Sequence, residues 1–105
     1  MPADSWTSQF SIAVTVTDEN GIITEMNPVS VATFAADGGA NLIGSDVLAC
    51  HPERSRTKLA AMYESRQPNH YTIRKNGRKK IIHQLPLFKD GVFQGYVEIS
   101  VPIPD

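Results

Sequence analysis

The chain has 105 residues, of which 41% are apolar and 20% charged, with a formal net charge of −1 and a single cysteine. That length supports one hydrophobic core burying about 60–70% of the unfolded surface, so a second domain and a disulfide framework are excluded, and no run approaches the ~20 apolar residues of a membrane helix. The opening MPADSWTSQF has neither the basic start nor the apolar run of a secretory signal, so the expected location is a reducing cytoplasm. Residues 1–53 carry seven acids and no Lys or Arg, whereas residues 54–105 carry ten bases and four acids, −7 against +6. In a compact domain these halves interleave, and the charges are expected to pair internally.

Residues 1–9 are expected to form an N-terminal arm and residues 10–105 a single domain. In FSIAVTVT, residues 10–17, Phe10, Ile12, Val14 and Val16 alternate with small or polar residues, the period of a half-buried strand. Asp18-Glu19-Asn20-Gly21 is a turn, after which Ile22 to Met26 completes a hairpin. Asn27-Pro28 supplies a cap and a first helical residue for a short helix over residues 29–36, which Asp37-Gly38-Gly39 ends. Residues 40–52 are irregular but carry Leu42, Ile43, Val47 and Leu48, and are expected to form a buried lid. A longer helix over residues 53–66 places Leu59, Met62, Tyr63 and Arg66 on one face. The remainder reads as three strands joined at Asn76-Gly77 and Asp90-Gly91, both strong two-residue hairpin signals. Two strands before and three after a helical crossing predict an α+β fold, a five-stranded antiparallel sheet with short helices and one longer helix on one face.

The order of elements and six short motifs resemble a PAS domain. The motifs are Asp18-Glu19-Asn20-Gly21-Ile22-Ile23 followed by Asn27, then Leu42-Ile43-Gly44, Pro52-Glu53, Asn76-Gly77, and Lys89-Asp90-Gly91 leading to Gly95, spanning residues 10 to 103. The resemblance implies a non-enzymatic sensory or interaction module, often dimeric and attached to a signalling output, with a pocket between sheet and helices. Its implied lining is Val14, Phe34, Leu48, Leu59, Met62, Tyr63, Tyr71, Ile73, Ile82, Gln84, Val97 and Ile99. The expected occupant is a small, largely apolar ligand held by Gln84 and His51; the alternative is an interaction module with a filled core. The position matching the reactive cysteine of the flavin-binding members is Val47, and the position matching the axial histidine of the haem members is Leu59 or Thr57. Flavin is therefore not expected, and haem only through His51.

Cys50-His51-Pro52-Glu53 is the most suggestive chemical cluster, since His51 could ligate a metal or bond a carboxylate and Cys50 sits beside a helix start. His51, His70 and His83 show no metal-ligand spacing along the sequence, so no metal site is expected, and no catalytic motif is present. Arg74, Lys75, Arg78, Lys79 and Lys80 crowd one hairpin tip without interleaved aromatics, which reads as a solvated turn rather than a nucleic-acid surface. On the strand from Lys79 to Phe88, Ile81, His83 and Leu85 form an apolar face opposite Ile82 and Gln84. With Tyr96 this face is expected to mediate homodimerisation, unless the N-terminal segment folds back over it.

Overall fold

The computed structural model describes residues 6–47 and 53–104. A 3₁₀ turn, Trp6–Gln9, precedes β1 (Ala13–Thr17) and β2 (Ile23–Met26). The helical crossing comprises α1 (Pro28–Thr33), 3₁₀ turns at Ala35–Asp37 and Gly39–Leu42, and α2 (Glu53–Ser65). A meander of β3 (Asn69–Lys75), β4 (Arg78–Lys89) and β5 (Val92–Pro102) closes the chain. The five strands form one antiparallel sheet in the order β2-β1-β5-β4-β3, so the first and last strands meet at its centre. Helix α1 is shorter than its predicted span: Phe34, at φ −103° and ψ 22°, leaves helical geometry, and the 3₁₀ turn Ala35–Asp37 takes up the rest before Gly38 and Gly39 turn the chain away. Ile43, expected to be part of a buried lid, is 45% exposed.

Asn27 organises the N-terminal half. Its side chain caps α1 by accepting from Ser30 N–H at 2.9 Å, and the same oxygen accepts from Val14 N–H at 2.9 Å. The amide nitrogen donates to the carbonyls of Thr7 and Ile12 at 3.0 and 2.8 Å. At 3% exposure, this amide has every donor and acceptor engaged, as burial of a polar group requires. It ties the segment before β1, β1 itself and α1 into one unit. Thr7 Oγ1 adds a bond to Glu25 Oε2 at 2.9 Å, so the N-terminal segment folds back against β2.

Both two-residue turns form where the sequence placed them, with Asn76 and Asp90 at φ 53° and 52° followed by glycines at 76° and 79°. The β4–β5 ladder then slips by one residue. Lys89 pairs with Val92 and Phe88 with Phe93, but Leu87 pairs with Gly95, which leaves Gln94 bulged. Gly95 sits at the bulge with φ 128°, and a Cβ there would overlap the Thr17 carbonyl oxygen and stand 2.6 Å from the Asp18 carbonyl carbon.

Two substitutions test these constraints by urea denaturation. Gly95→Ala combines strained φ with a backbone clash and should cost more than about 3 kcal/mol, or prevent folding. Asn27→Asp keeps the cap but turns an acceptor toward the Thr7 and Ile12 carbonyls, and should cost about 2–4 kcal/mol at neutral pH and less in acid.

Candidate functional site

Side chains directly opposite one another on paired strands share a face. Asn69 pairs with Gln84, Gln84 with Glu98, and Glu98 with Thr15, so these four form one polar row across β3, β4, β5 and β1. Asn69 Nδ2 donates to Gln84 Oε1 at 2.8 Å, and Gln84 Nε2 donates to Glu98 Oε2 at 3.2 Å. Gln84 is only 7% exposed, and both ends of its amide are thereby held. Thr15 Oγ1 lies 2.6 Å from Ser30 Oγ, which joins the row to α1.

Helix α2 roofs this row with Leu59, Met62 and Tyr63, spaced by three and four residues on one side. Its C-terminal end is held by β5. The Tyr96 hydroxyl stands 2.7 Å from the carbonyl oxygens of both Met62 and Gln67, its single proton serving one at a time. Arg66 ends the helix at φ 58° and lays its guanidinium 5.1 Å from the centre of the Phe93 ring. Tyr63 packs edge-on against Tyr96 at 4.8 Å and shares a hydrogen bond with the Thr17 hydroxyl.

Between roof and row lies a cavity of about 50 Å³, lined by Thr15, Thr17, Val47, Leu59, Met62, Tyr63, Gln84, Tyr96 and Glu98. Val47 is brought there because its N–H bonds the Gly21 carbonyl, while beside it Gly44 N–H donates to the Ile23 carbonyl and Ile23 N–H to the Ser45 carbonyl. Pockets for organic ligands generally measure about 300–1,000 Å³, so in this arrangement the cavity is the size for water or a very small molecule. Val47, at the position matching the flavin members' cysteine, offers no thiol. Among the described residues no group of three or more His, Cys, Asp and Glu is placed to hold a metal ion.

Of the residues the sequence assigned to the pocket, Leu59, Met62, Tyr63 and Gln84 line this cavity. Ile82, Tyr71 and Ile73 lie on the same sheet face farther along the strands, with Ile82 buried and Tyr71 41% exposed. Phe34 caps the C-terminal end of α1, with the Lys75 ammonium 6.0 Å above its ring. Val97 and Ile99 pair with Leu85 and His83, and Val14 pairs with Ile99, so all three point to the outer face instead. Tyr96 makes the opposite correction, because its partner is Pro86 and it turns inward to α2 rather than joining Ile81, His83 and Leu85. The cause is the Gln94 bulge, since a one-residue slip exchanges the two faces. Leu48, Cys50 and His51 lie outside the described residues. Thr15, Thr17, Val47, Glu98 and the inward Tyr96 were missed; Gly95, a glycine inside a strand pattern, was the available signal for a bulge.

Burial raises the hydroxyl pKa of Tyr63 above the ordinary tyrosine range, opposed by its bond from Thr17 and reinforced by Tyr96, Glu98 and Asp18. Burial also raises Tyr96, and burial with Glu98 raises Tyr71. Tyrosines that hold their protons more tightly when folded give stability that is intact below about pH 10 and falls above it, as the unfolded chain releases protons first. Thermal unfolding between pH 8 and 11 should show this decline, and Tyr63→Phe should flatten it.

No family model matches the chain, and no curated protein does. Solved structures share its shape at low identity. A C-terminal domain from Streptococcus mutans superposes with TM-score 0.76 at 18% identity, over 92% of this chain and 79% of that one. The Aer2 receptor of Vibrio cholerae, described as a dual PAS-haem oxygen sensor, gives 0.70 at 18%, over 90% and 96%. The PAS domain of Bordetella pertussis BvgS gives 0.66 at 18%, over 94% and 82%. The five-stranded antiparallel sheet with its helical crossing, shared with these domains over nearly the whole chain, is a PAS-like fold.

Proposed function

We propose that the chain is a sensory module of signal transduction, without catalytic activity of its own, that takes a small ligand against the Gln84 row. The observation carrying this reading is the buried Gln84 amide, fixed at both ends and lining a cavity under a single helix. The resemblance to PAS domains of receptors and sensor kinases supports it. The lining mixes Leu59, Met62 and Val47 with hydroxyls and the Glu98 carboxylate, so the ligand combines an apolar body with at least one hydrogen-bonding group, more polar than the sequence suggested. Anything of organic size enters by displacing α2 from the sheet, which converts occupancy into movement of the helix. The outer face, where Ile81, Leu85, Val97, Ile99 and Val101 adjoin, is the proposed surface for self-association and for coupling to an output partner.

Native mass spectrometry of freshly purified protein, before and after denaturation, is the test. The expected result is a retained small mass that Gln84→Leu loses while remaining folded. A bare dimer would favour the second reading, a protein-interaction module with a filled core. A bare monomer that also takes up nothing from a library of small polar-apolar compounds would overturn both.

A further inference from the structure

The hairpin turning at Asn76-Gly77 sets residue 70 opposite residue 83, and both are histidines. On the face away from α2 their Nδ1 atoms are 2.8 Å apart, with ring centres at 5.0 Å and planes inclined by 73°. The pair is open to solvent: His70 is exposed and His83 half-buried. Nearest along the same face is the Thr72–Ile81 pair, and the Arg74–Lys79 pair follows about 13 Å away at the usual strand rise.

From this geometry we propose that His70 and His83 form a two-nitrogen clamp for a divalent late transition-metal ion, of the copper(II) or nickel(II) class. Imidazole nitrogens suit such ions, and their affinity is highest at this end of the first row. Two nitrogens 2.8 Å apart, each about 2.05 Å from a shared ion, subtend roughly 90° at it, the cis angle of a tetragonal site. Tetrahedral zinc prefers the nitrogens about 3.3 Å apart, so the 2.8 Å spacing suits a tetragonal ion better. Without metal, one Nδ1 donates its proton to the other. On binding, that proton moves through solvent to Nε2 of the same ring, both rings stay neutral, and both Nδ1 lone pairs meet the ion. The strands fix the Cα positions, so the cost of bringing the ligands together is met by folding. Water fills the remaining coordination positions, which keeps the site open to an incoming ligand. The clamp is independent of the cavity: the two faces are separated by the sheet, and neither histidine lines it.

The test is titration of the full, untagged chain with copper(II) chloride, followed by calorimetry and by electron paramagnetic resonance. One ion should bind per chain at micromolar concentration, with a spectrum showing hyperfine splitting from two nitrogens. His70→Ala and His83→Ala should each weaken binding at least about tenfold and leave a spectrum with fewer coupled nitrogens, while circular dichroism stays unchanged. Copper binding weaker than about 1 mM, undiminished binding by folded His70→Ala, or a spectrum unaltered by either substitution would overturn the proposal.

Discussion

The Asn27 side chain is the constraint on which the N-terminal half of the fold depends. Four hydrogen bonds converge on one buried amide, two received and two given, and they come from three separate stretches of chain. A neutral amide is suited to this point because it both accepts two hydrogen bonds and donates two, whereas a carboxylate only accepts and a hydroxyl has a single hydrogen to give. Once Asn27 is fixed, α1 has its starting point and direction, and Ser30 reaches Thr15 on the inner face. The polar row beneath the cavity is thus set partly by a residue that does not line it.

A second constraint acts in the C-terminal half. Gly95 permits the bulge, and the bulge turns Tyr96 inward to engage the end of α2. Had the ladder continued in the register of its turn, Gln84 would oppose Val97, and an aliphatic residue would stand where Glu98 now completes the polar row. The inner face owes its hydrogen-bonding character, and the helix its anchor, to one extra residue in one strand.

This explains which parts of the fold the sequence made legible. Turn residues carry their own chemistry, so Asn76-Gly77 and Asp90-Gly91 marked both hairpins, and Asn27-Pro28 marked the start of α1. Alternation within β4 separated Ile82 and Gln84 from Ile81, His83 and Leu85. Alternation cannot by itself carry the face across to β5, because that depends on the count of residues between paired positions, and Gln94 changes the count. Val14, Val97 and Ile99 therefore moved together to the outer face, and Tyr96 moved the other way. Linear spacing likewise concealed the His70–His83 pair, thirteen positions apart and yet touching; counting outward from the Asn76-Gly77 turn would have found it.

The attachment of α2 at its C-terminal end has a mechanical consequence. Tyr96 grips the backbone at Met62 and Gln67, and Arg66 lies on Phe93, so the helix is a lever whose fulcrum lies at β5. A helix of 13 residues gives an arm of about 20 Å, and a swing of only ~10° about the fulcrum carries its far end some ~3 Å. Leu59 lies nearer the far end than Met62 and Tyr63, so a guest lodged beneath it would swing the helix through a smaller angle than one of equal size wedged beside Tyr63, close to the fulcrum. Where a guest sat along the arm, as much as how large it was, would set the amplitude of the stroke.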